Sequence, residues 1–349
     1  MNKKLWLRSE TKENEKRCAL TPENAKSLIQ KGIEVIVEES SERIFPTEDY
    51  KNVGCKIVSE HSWTTDATKD HYILGLKEIL NEDFPLHLNH IYFAHIYKGQ
   101  DGANDILNRY KKDGGTLFDL EFLTNSDGRR IAAFGYWAGY IGAALAVENY
   151  LSITNSHETS PLKHYKDKEE WLKILNDKKS ETIIRPIIIG AKGRCGQGSK
   201  DLFKDLGIKS TDWDMEETKV GGPFKEILEH DIFVNTVLMT KKIKPFLTND
   251  ILSNPKNLRV ICDVSCDPNS DLNPIPVYNT HTTWESPTTD SNGVSIIAID
   301  NLPSALPKES SIDFSNQLYP YLEELLLTDE NSTPWKNAKN VFKSFIEKI

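Results

Sequence analysis

Lys77, His95, Glu121 and Arg130 each follow closely on a short apolar run of this 349-residue chain. If those runs are parallel strands, the four side chains gather at their carboxyl ends, where open α/β sheets hold ligands. More charge lies beside them: Glu78 adjoins Lys77, Lys98 follows His95, and Arg8, Glu10, Lys12, Glu15 and Arg17 follow the apolar run Leu5, Trp6 and Leu7. A lysine is a base only when neutral, so its ordinary pKa of about 10.4 must fall to near 8, through desolvation and neighbouring cations such as Lys98 or an arginine. A histidine titrates near neutrality and can both give and take a proton. The guanidinium forks of Arg17 and Arg130 suit a dicarboxylate or amino-acid substrate. A base for nitrogen, an acid–base group for water and two carboxylate clamps are the parts needed to dehydrogenate an amine. Each group also has a plainer reading: Lys77 as a surface lysine, His95 as a core histidine, and the arginines as salt-bridge partners of Glu78, Glu121 or other local acids.

The oxidant is suggested further along the chain. The apolar run at residues 183–189 reads as a buried strand, Gly190, Gly193, Gly196 and Gly198 follow, and Leu202, Phe203 and Leu206 then recur at helical spacing. Strand, glycine turn and helix bring backbone N–H groups and a helix dipole to a phosphate. Glycines let the backbone approach a pyrophosphate closely. Asp214, about two dozen residues after Gly190, stands where a second strand should end. There it can accept from ribose hydroxyls and repel a 2′-phosphate, which favours NAD over NADP. Thr218 lies close enough in sequence to line the adenosine.

These side chains need a scaffold. Runs at residues 34–38, 71–76, 91–94 and 116–120 read as strands between helical patterns, including one helix capped by Thr21 and Pro22. Alternation of this kind implies parallel α/β sheets. Residues 152–161 read as a polar connector, and residues 166–179 as an exposed helix with Trp171, Leu172 and Leu175 as a thin stripe. Runs at 231–235, 259–263 and 295–299 read as later strands, and the helical tail after Phe314 as packing back on the first domain. The expected fold class is α/β, with two Rossmann-like domains whose parallel sheets are flanked by helices and an active site in the interdomain cleft. Residues 1–133 with 306–349 are expected to bind substrate, and residues 134–305 to bind NAD.

Composition narrows the partners. A net charge of −9 without a Lys/Arg-rich tract argues against nucleic acid and anionic membrane. No signal peptide is read, and the uncharged stretch 131–147 is short for a membrane span, its glycines suiting close helix packing instead. Five scattered cysteines point to a reduced, cytoplasmic setting. Cys262 and Cys266 lack a second pair and a histidine at metal spacing, so they read as a buried thiol pair, and no metal is expected.

The combination of Lys77-Glu78, His95, Arg129-Arg130 and Gly193-Arg194-Cys195-Gly196 resembles the fungal-type saccharopine dehydrogenases (NAD, L-lysine-forming) along nearly the whole chain. The opening pattern from Arg8 to Pro22 is shared more widely, with alanine dehydrogenases and transhydrogenases. The resemblance implies oxidation of saccharopine to L-lysine and 2-oxoglutarate, the last step of the aminoadipate route to lysine. It implies that Lys77 takes the amine proton and that His95 is the acid–base group for imine hydration and carbinolamine collapse. Arg17, Lys98, Arg130 and Phe134 match substrate contacts, and Glu78 and Glu121 match carboxylates that tune the base. Arg129, Gly193, Arg194, Asp214, Thr218, Leu238, Val264, Ile299, Asp300, Asn301 and Leu302 match cofactor contacts. A cytoplasmic monomer acting on small molecules is expected. Thr236 stands where the family has the cysteine partner of Cys195, which rules out a disulfide there. Leu238 replaces an aromatic, and Asn301 replaces a histidine.

Overall fold

The computed structural model describes residues 3–80, 82–97 and 102–349. The chain forms two units, Met1–Ala133 with Pro307–Ile349 and Phe134–Leu306. In the first, the described residues contain β1 (Lys4–Leu7), α1 (Pro22–Gln30), β2 (Val35–Glu38), α2 (Thr47–Asn52), β3 (Lys56–Val58), α3 (Trp63–Asp66), β4 (His71–Leu74), β5 (Asn89–Tyr92), α4 (Ala103–Asp113) and β6 (Thr116–Asp119). The sheet order is β3-β2-β1-β4-β5-β6, parallel throughout. The carboxyl ends of β1, β4, β5 and β6 therefore share one edge. The Thr21 hydroxyl accepts the Asn24 N–H at 3.3 Å and starts α1. Gly114, at φ 80°, ends α4 in the left-handed conformation that glycine enters without a Cβ penalty.

The second unit contains α5 (Gly135–Thr154), α6 (Lys168–Lys179), β7 (Pro186–Ile189), α7 (Arg194–Asp205), β8 (Thr211–Trp213), α8 (Met215–Thr218), β9 (Ile232–Asn235), α9 (Asn249–Leu252), β10 (Val260–Asp263), β11 (Thr289–Ser291) and β12 (Val294–Ile297). Its order is β11-β12-β10-β9-β7-β8, with only the β11–β12 pair antiparallel among the described strands. The uncharged stretch becomes part of α5, buried from Gly139 to Asn149 against one face of the sheet. No helix of the described residues is long and apolar enough to cross a membrane. The chain then returns to the first unit through α10 (Pro307–Leu327) and α11 (Thr333–Ile346). There the Ser315 hydroxyl accepts from Thr21 N–H and Asn24 Nδ2, and Trp335 packs edge-on to Phe118.

Three local readings change. Strand β7 begins at Pro186, not at Ile183, which is 81% exposed, while Arg185 turns to pair with Asp231. The charged helix α6 is anchored rather than merely exposed: Trp171 and Leu175 are fully buried, and Trp171 Nε1 donates to Glu148 Oε2 at 3.1 Å. Cys266 is not part of a buried pair: it is half-buried, and the loop from residue 267 to 280 brings His281 Nδ1 to 3.1 Å from its Sγ. None of the five cysteines is in a disulfide.

Candidate active site

The sheet edge of the first unit carries the charged groups. After β4 the chain turns through Gly75 to Lys77 and Glu78, and after β5 through Phe93 to His95. His95 is held at φ 52°, a left-handed conformation uncommon outside glycine and concentrated where surroundings over-determine the backbone. Its Nδ1 lies 2.5 Å from Glu78 Oε1. Burial pushes the Glu78 carboxyl up, but the hydrogen bond and charge of His95 outweigh it and hold the group at about 2. The same hydrogen bond raises His95 above its ordinary value, against burial and the nearby charge of Lys77. Glu78 is therefore an ionised acceptor at neutral pH, the proton on the ring sits at Nδ1, and Nε2 is the atom that can gain or lose one.

Lys77, with its side chain 13% exposed, puts Nζ 3.9 Å from Glu15 Oε2. Glu15 is fully buried and takes both Nε and Nη2 of Arg17, at 2.7 and 2.5 Å. Burial disfavours its charge, but Arg17 prevails, with help from Lys77, and the carboxyl stays ionised down to about 2. The fork edge of Arg17 expected to clamp a substrate carboxylate is thus engaged by Glu15. Because Arg17 neutralises Glu15, Lys77 faces a compensated pair rather than a lone carboxylate.

Asp119 closes β6 and is fully buried. Its Oδ1 accepts the Glu121 N–H at 2.9 Å, and its Oδ2 has no hydrogen-bond partner among the described residues. Burial pushes this carboxyl up to about 6 despite the Glu121 backbone N–H, and Glu121's charge adds to the push. Glu121 itself is half-buried. Arg129 and Arg130 sit on an exposed turn whose base is the Thr124–Arg130 bridge and whose tip is held by Asn125. Lys98 lies outside the described residues. Sequence reasoning assigned no role to Glu15, which stands in the charged run after Leu7, or to Asp119, which lies within the strand read at residues 116–120.

In the second unit the glycine turn joins β7 to α7. Gly190 and Ala191 donate to the Trp213 carbonyl at 2.9 and 3.0 Å, tying the turn to β8. The glycines divide the work. A Cβ on Gly196 would lie 2.2 Å from the Gly190 oxygen, and one on Gly198 1.9 Å from the Tyr136 oxygen, so both serve the packing of α7 against the turn and α5. Gly193, the N-cap of α7, would bring a Cβ no nearer than 3.3 Å to the Gly190 oxygen, the single neighbour within 4 Å. That open approach at a helix N-terminus fits a dinucleotide phosphate.

Asp214 follows β8 and aims its carboxylate at the same turn, accepting the Lys192 N–H at 2.8 Å and the Met215 N–H at 2.9 Å. Thr218 donates its hydroxyl to the Asp214 carbonyl at 2.8 Å. Thr236, in place of a cysteine, donates to the Ile189 and Gly190 carbonyls, at 2.9 and 3.1 Å. Val264 follows a network in which Asp263 Oδ1 accepts from Asn235 and Ser265, and Oδ2 accepts from Tyr278 at 2.6 Å. Ile299, Asp300, Asn301 and Leu302 form the turn after β12, where Asn301 adopts φ 68°, a region asparagine tolerates well. Arg194 is exposed at the first position of α7, Leu238 is 67% exposed, and Phe134 is the half-buried N-cap of α5. Among the described residues no three His, Cys, Asp or Glu side chains are grouped to hold a metal ion.

Comparison with known proteins identifies similar domains and a similar fold. The alanine dehydrogenase/PNT N-terminal domain matches residues 6–141, and the alanine dehydrogenase/PNT C-terminal domain matches residues 213–346. Among solved structures, an L-alanine dehydrogenase superposes with a TM-score of 0.70 at 16% identity, covering 97% of this chain and 93% of that one. A transhydrogenase from Sinorhizobium meliloti gives 0.67 at 16%, covering 96% and 97%. Curated relatives named saccharopine dehydrogenase [NAD(+), L-lysine-forming] include that of Emericella nidulans, 49% identical over 97% of this chain and 96% of its own. Those of Neurospora crassa (46%; 97% and 95%) and Schizosaccharomyces pombe (42%; 99% and 99%) are similar over the same extent. With such identity sustained along nearly its entire length, this chain belongs to the NAD(+)-dependent, L-lysine-forming saccharopine dehydrogenase family.

Proposed function

We propose that the protein converts saccharopine, NAD and water to L-lysine, 2-oxoglutarate and NADH with release of a proton, and that the reaction is reversible. The observation that carries the reading is the placement of Lys77 beside the Glu15–Arg17 pair and of His95 beside Glu78 on one sheet edge. NAD, when bound, accepts the hydride from the carbon that bears the secondary amine. Gly193, Arg194, Asp214, Thr218, Val264, residues 299–302 and Arg129 are the residues that would hold it. Lys77 takes the proton from the amine nitrogen. His95 Nε2 then removes a proton from water as it adds to the imine carbon, and helps the carbinolamine collapse to free the lysine amine and the 2-oxoglutarate carbonyl. Glu78 fixes the ring so that Nε2, not Nδ1, does this work. Arg130, Lys98, Phe134 and the Arg17–Glu15 unit would seat the carboxylate-rich substrate, and Glu121 tunes the base. We read the enzyme as a cytoplasmic monomer, which five cysteines outside any disulfide suit.

The direct test follows NADH absorbance with L-lysine and 2-oxoglutarate, with pyruvate plus ammonia as the control substrates and NADPH as the control cofactor. NADH oxidation with the first pair alone is expected. Activity confined to pyruvate and ammonia would reject the substrate assignment, and a preference for NADPH would reject the role of Asp214.

A further inference from the structure

Arg8 and Glu10 are nearly inaccessible, with side chains 3% and 8% exposed, and neither has a part in the proposed chemistry. Both grip the backbone that carries Lys77. Glu10 Oε1 accepts the Leu76 N–H at 2.7 Å, and its Oε2 accepts the Lys77 N–H at 2.9 Å. The Arg8 guanidinium donates through Nη2 to the Lys77 carbonyl and through Nη1 to the Ser9 carbonyl, and Nη1 lies 3.4 Å from Glu10 Oε2. Arg8 also stacks over the Tyr92 ring at 5.7 Å. The fit is close: a Cβ on Gly75 would lie 2.3 Å from Arg8 Nε, so a side chain there would displace the guanidinium. Charge-assisted bonds thus seize Lys77 at both its N–H and its C=O, and the charges that make them belong to one buried pair.

We infer that Arg8 and Glu10 are positioning residues for Lys77: they fix the backbone from which its amine reaches the site, and they act on the reaction only through it. The inference rests on the reading of Lys77 as the base. A lysine is long and flexible, so an unclamped turn would let Nζ wander. Displacement of a reacting group by about 1 Å costs on the order of 100-fold in rate.

A double-mutant cycle on the full-length protein tests this. Glu10→Gln keeps one acceptor but turns an amide N–H₂ toward a backbone donor. In the native background it should lower kcat about 10- to 100-fold, with KM for NAD and NAD binding measured by fluorescence unchanged. In the Lys77→Met background, measured at high enzyme concentration, the same change should cost less than twofold. Equal losses in both backgrounds would mean a general structural role and overturn the inference, as would a Glu10→Gln rate within twofold of native while Lys77→Met is inactive. Full activity of Lys77→Met would instead remove the underlying reading. Arg8→Lys, which keeps the charge but not the fork, gives a second entry to the cycle if Glu10→Gln folds poorly, with the same pattern expected.

Discussion

The two sheet edges solve different problems with different materials. In the first unit the carboxyl ends of β1, β4, β5 and β6 are crowded with charged or titratable side chains bonded in pairs: Arg8 with Glu10, Arg17 with Glu15, and His95 with Glu78. In the second, the ends of β7, β8 and β9 present backbone N–H groups, a threonine hydroxyl and glycines. Proton transfer needs groups whose charge can change and neighbours that decide when it does. A dinucleotide needs a backbone that comes close and stays still. The first edge should therefore fail chemically while remaining folded, and the second should fail structurally.

The widest separation of the two behaviours comes from one substitution in each. Lys77→Met removes the amine proposed as the base from a partly open position, and its rate should fall about 10²- to 10⁴-fold, the usual worth of general acid–base catalysis. Its melting temperature and its affinity for NAD should stay near native. Gly139→Val acts in the opposite sense. A Cβ there would sit 1.8 Å from the Cys195 carbonyl oxygen, so α5 and α7 must part. Overpacking of that kind costs roughly 1–3 kcal/mol, and more where backbone is the obstacle. A loss of NAD binding together with a lower melting temperature is expected, measured by fluorescence and thermal denaturation. If Lys77→Met instead melted early while Gly139→Val kept its stability, the contrast between the edges would be wrong.

A smaller effect separates the groups within the first edge. Glu15 and Glu78 have carboxyls held at about 2, so the stability they add is present above about 4.5 and is lost as pH falls toward 2. His95 is shifted upward, so its contribution is complete below its unfolded value and is lost as pH rises through its folded one. Asp119 runs against both carboxylates. Its folded value of about 6 lies above the unfolded 3.8, so its ionisation destabilises the protein progressively between those values and fully above 6. Asp119→Asn keeps an acceptor for the Glu121 N–H and removes the buried charge. It should gain roughly 2–3 kcal/mol in denaturant unfolding at pH 8 and little at pH 4. An equal change at both pH values would show that the charge of Asp119 is not what burial penalises.

Much of this contrast could be read from sequence, for physical reasons that also explain what escaped. Apolar runs of four to seven residues mark buried parallel strands, and a ligand edge follows once the strands are parallel, so Lys77, His95 and the glycine turn could be placed. Pairing across sequence could not. Arg17 is committed to Glu15 because both are buried and neither can stand alone, a consequence of depth and not of spacing. Cys266 meets His281 because a loop folds back, with no periodicity to announce it. The glycine spacing looked like one motif, but Gly196 and Gly198 answer to neighbouring backbone, and only a third dimension distinguishes them from Gly193. Trp171 looked like part of a thin stripe because its partner, Glu148, lies 23 residues away on α5.

The finest adjustment concerns Leu238, where the family resemblance led to an aromatic. It is 67% exposed in the segment after β9, and the Thr236 hydroxyl two residues earlier fastens that segment to the Ile189 and Gly190 carbonyls. The base of the loop is therefore fixed while its apolar tip faces solvent. An adenine ring laid on leucine gains burial of aliphatic surface, whereas on tyrosine it gains an offset aromatic stack, worth about 0.5–1.5 kcal/mol more. Leu238→Tyr should lower the KM for NAD about two- to tenfold and leave kcat and the KM values for lysine and 2-oxoglutarate within error of native. Because the substitution touches neither charge pairs nor close-packed glycines, it also asks whether the second edge can be improved without disturbing the first. A change in kcat would show that Leu238 acts beyond the cofactor, and an unchanged KM for NAD would remove it from the cofactor site.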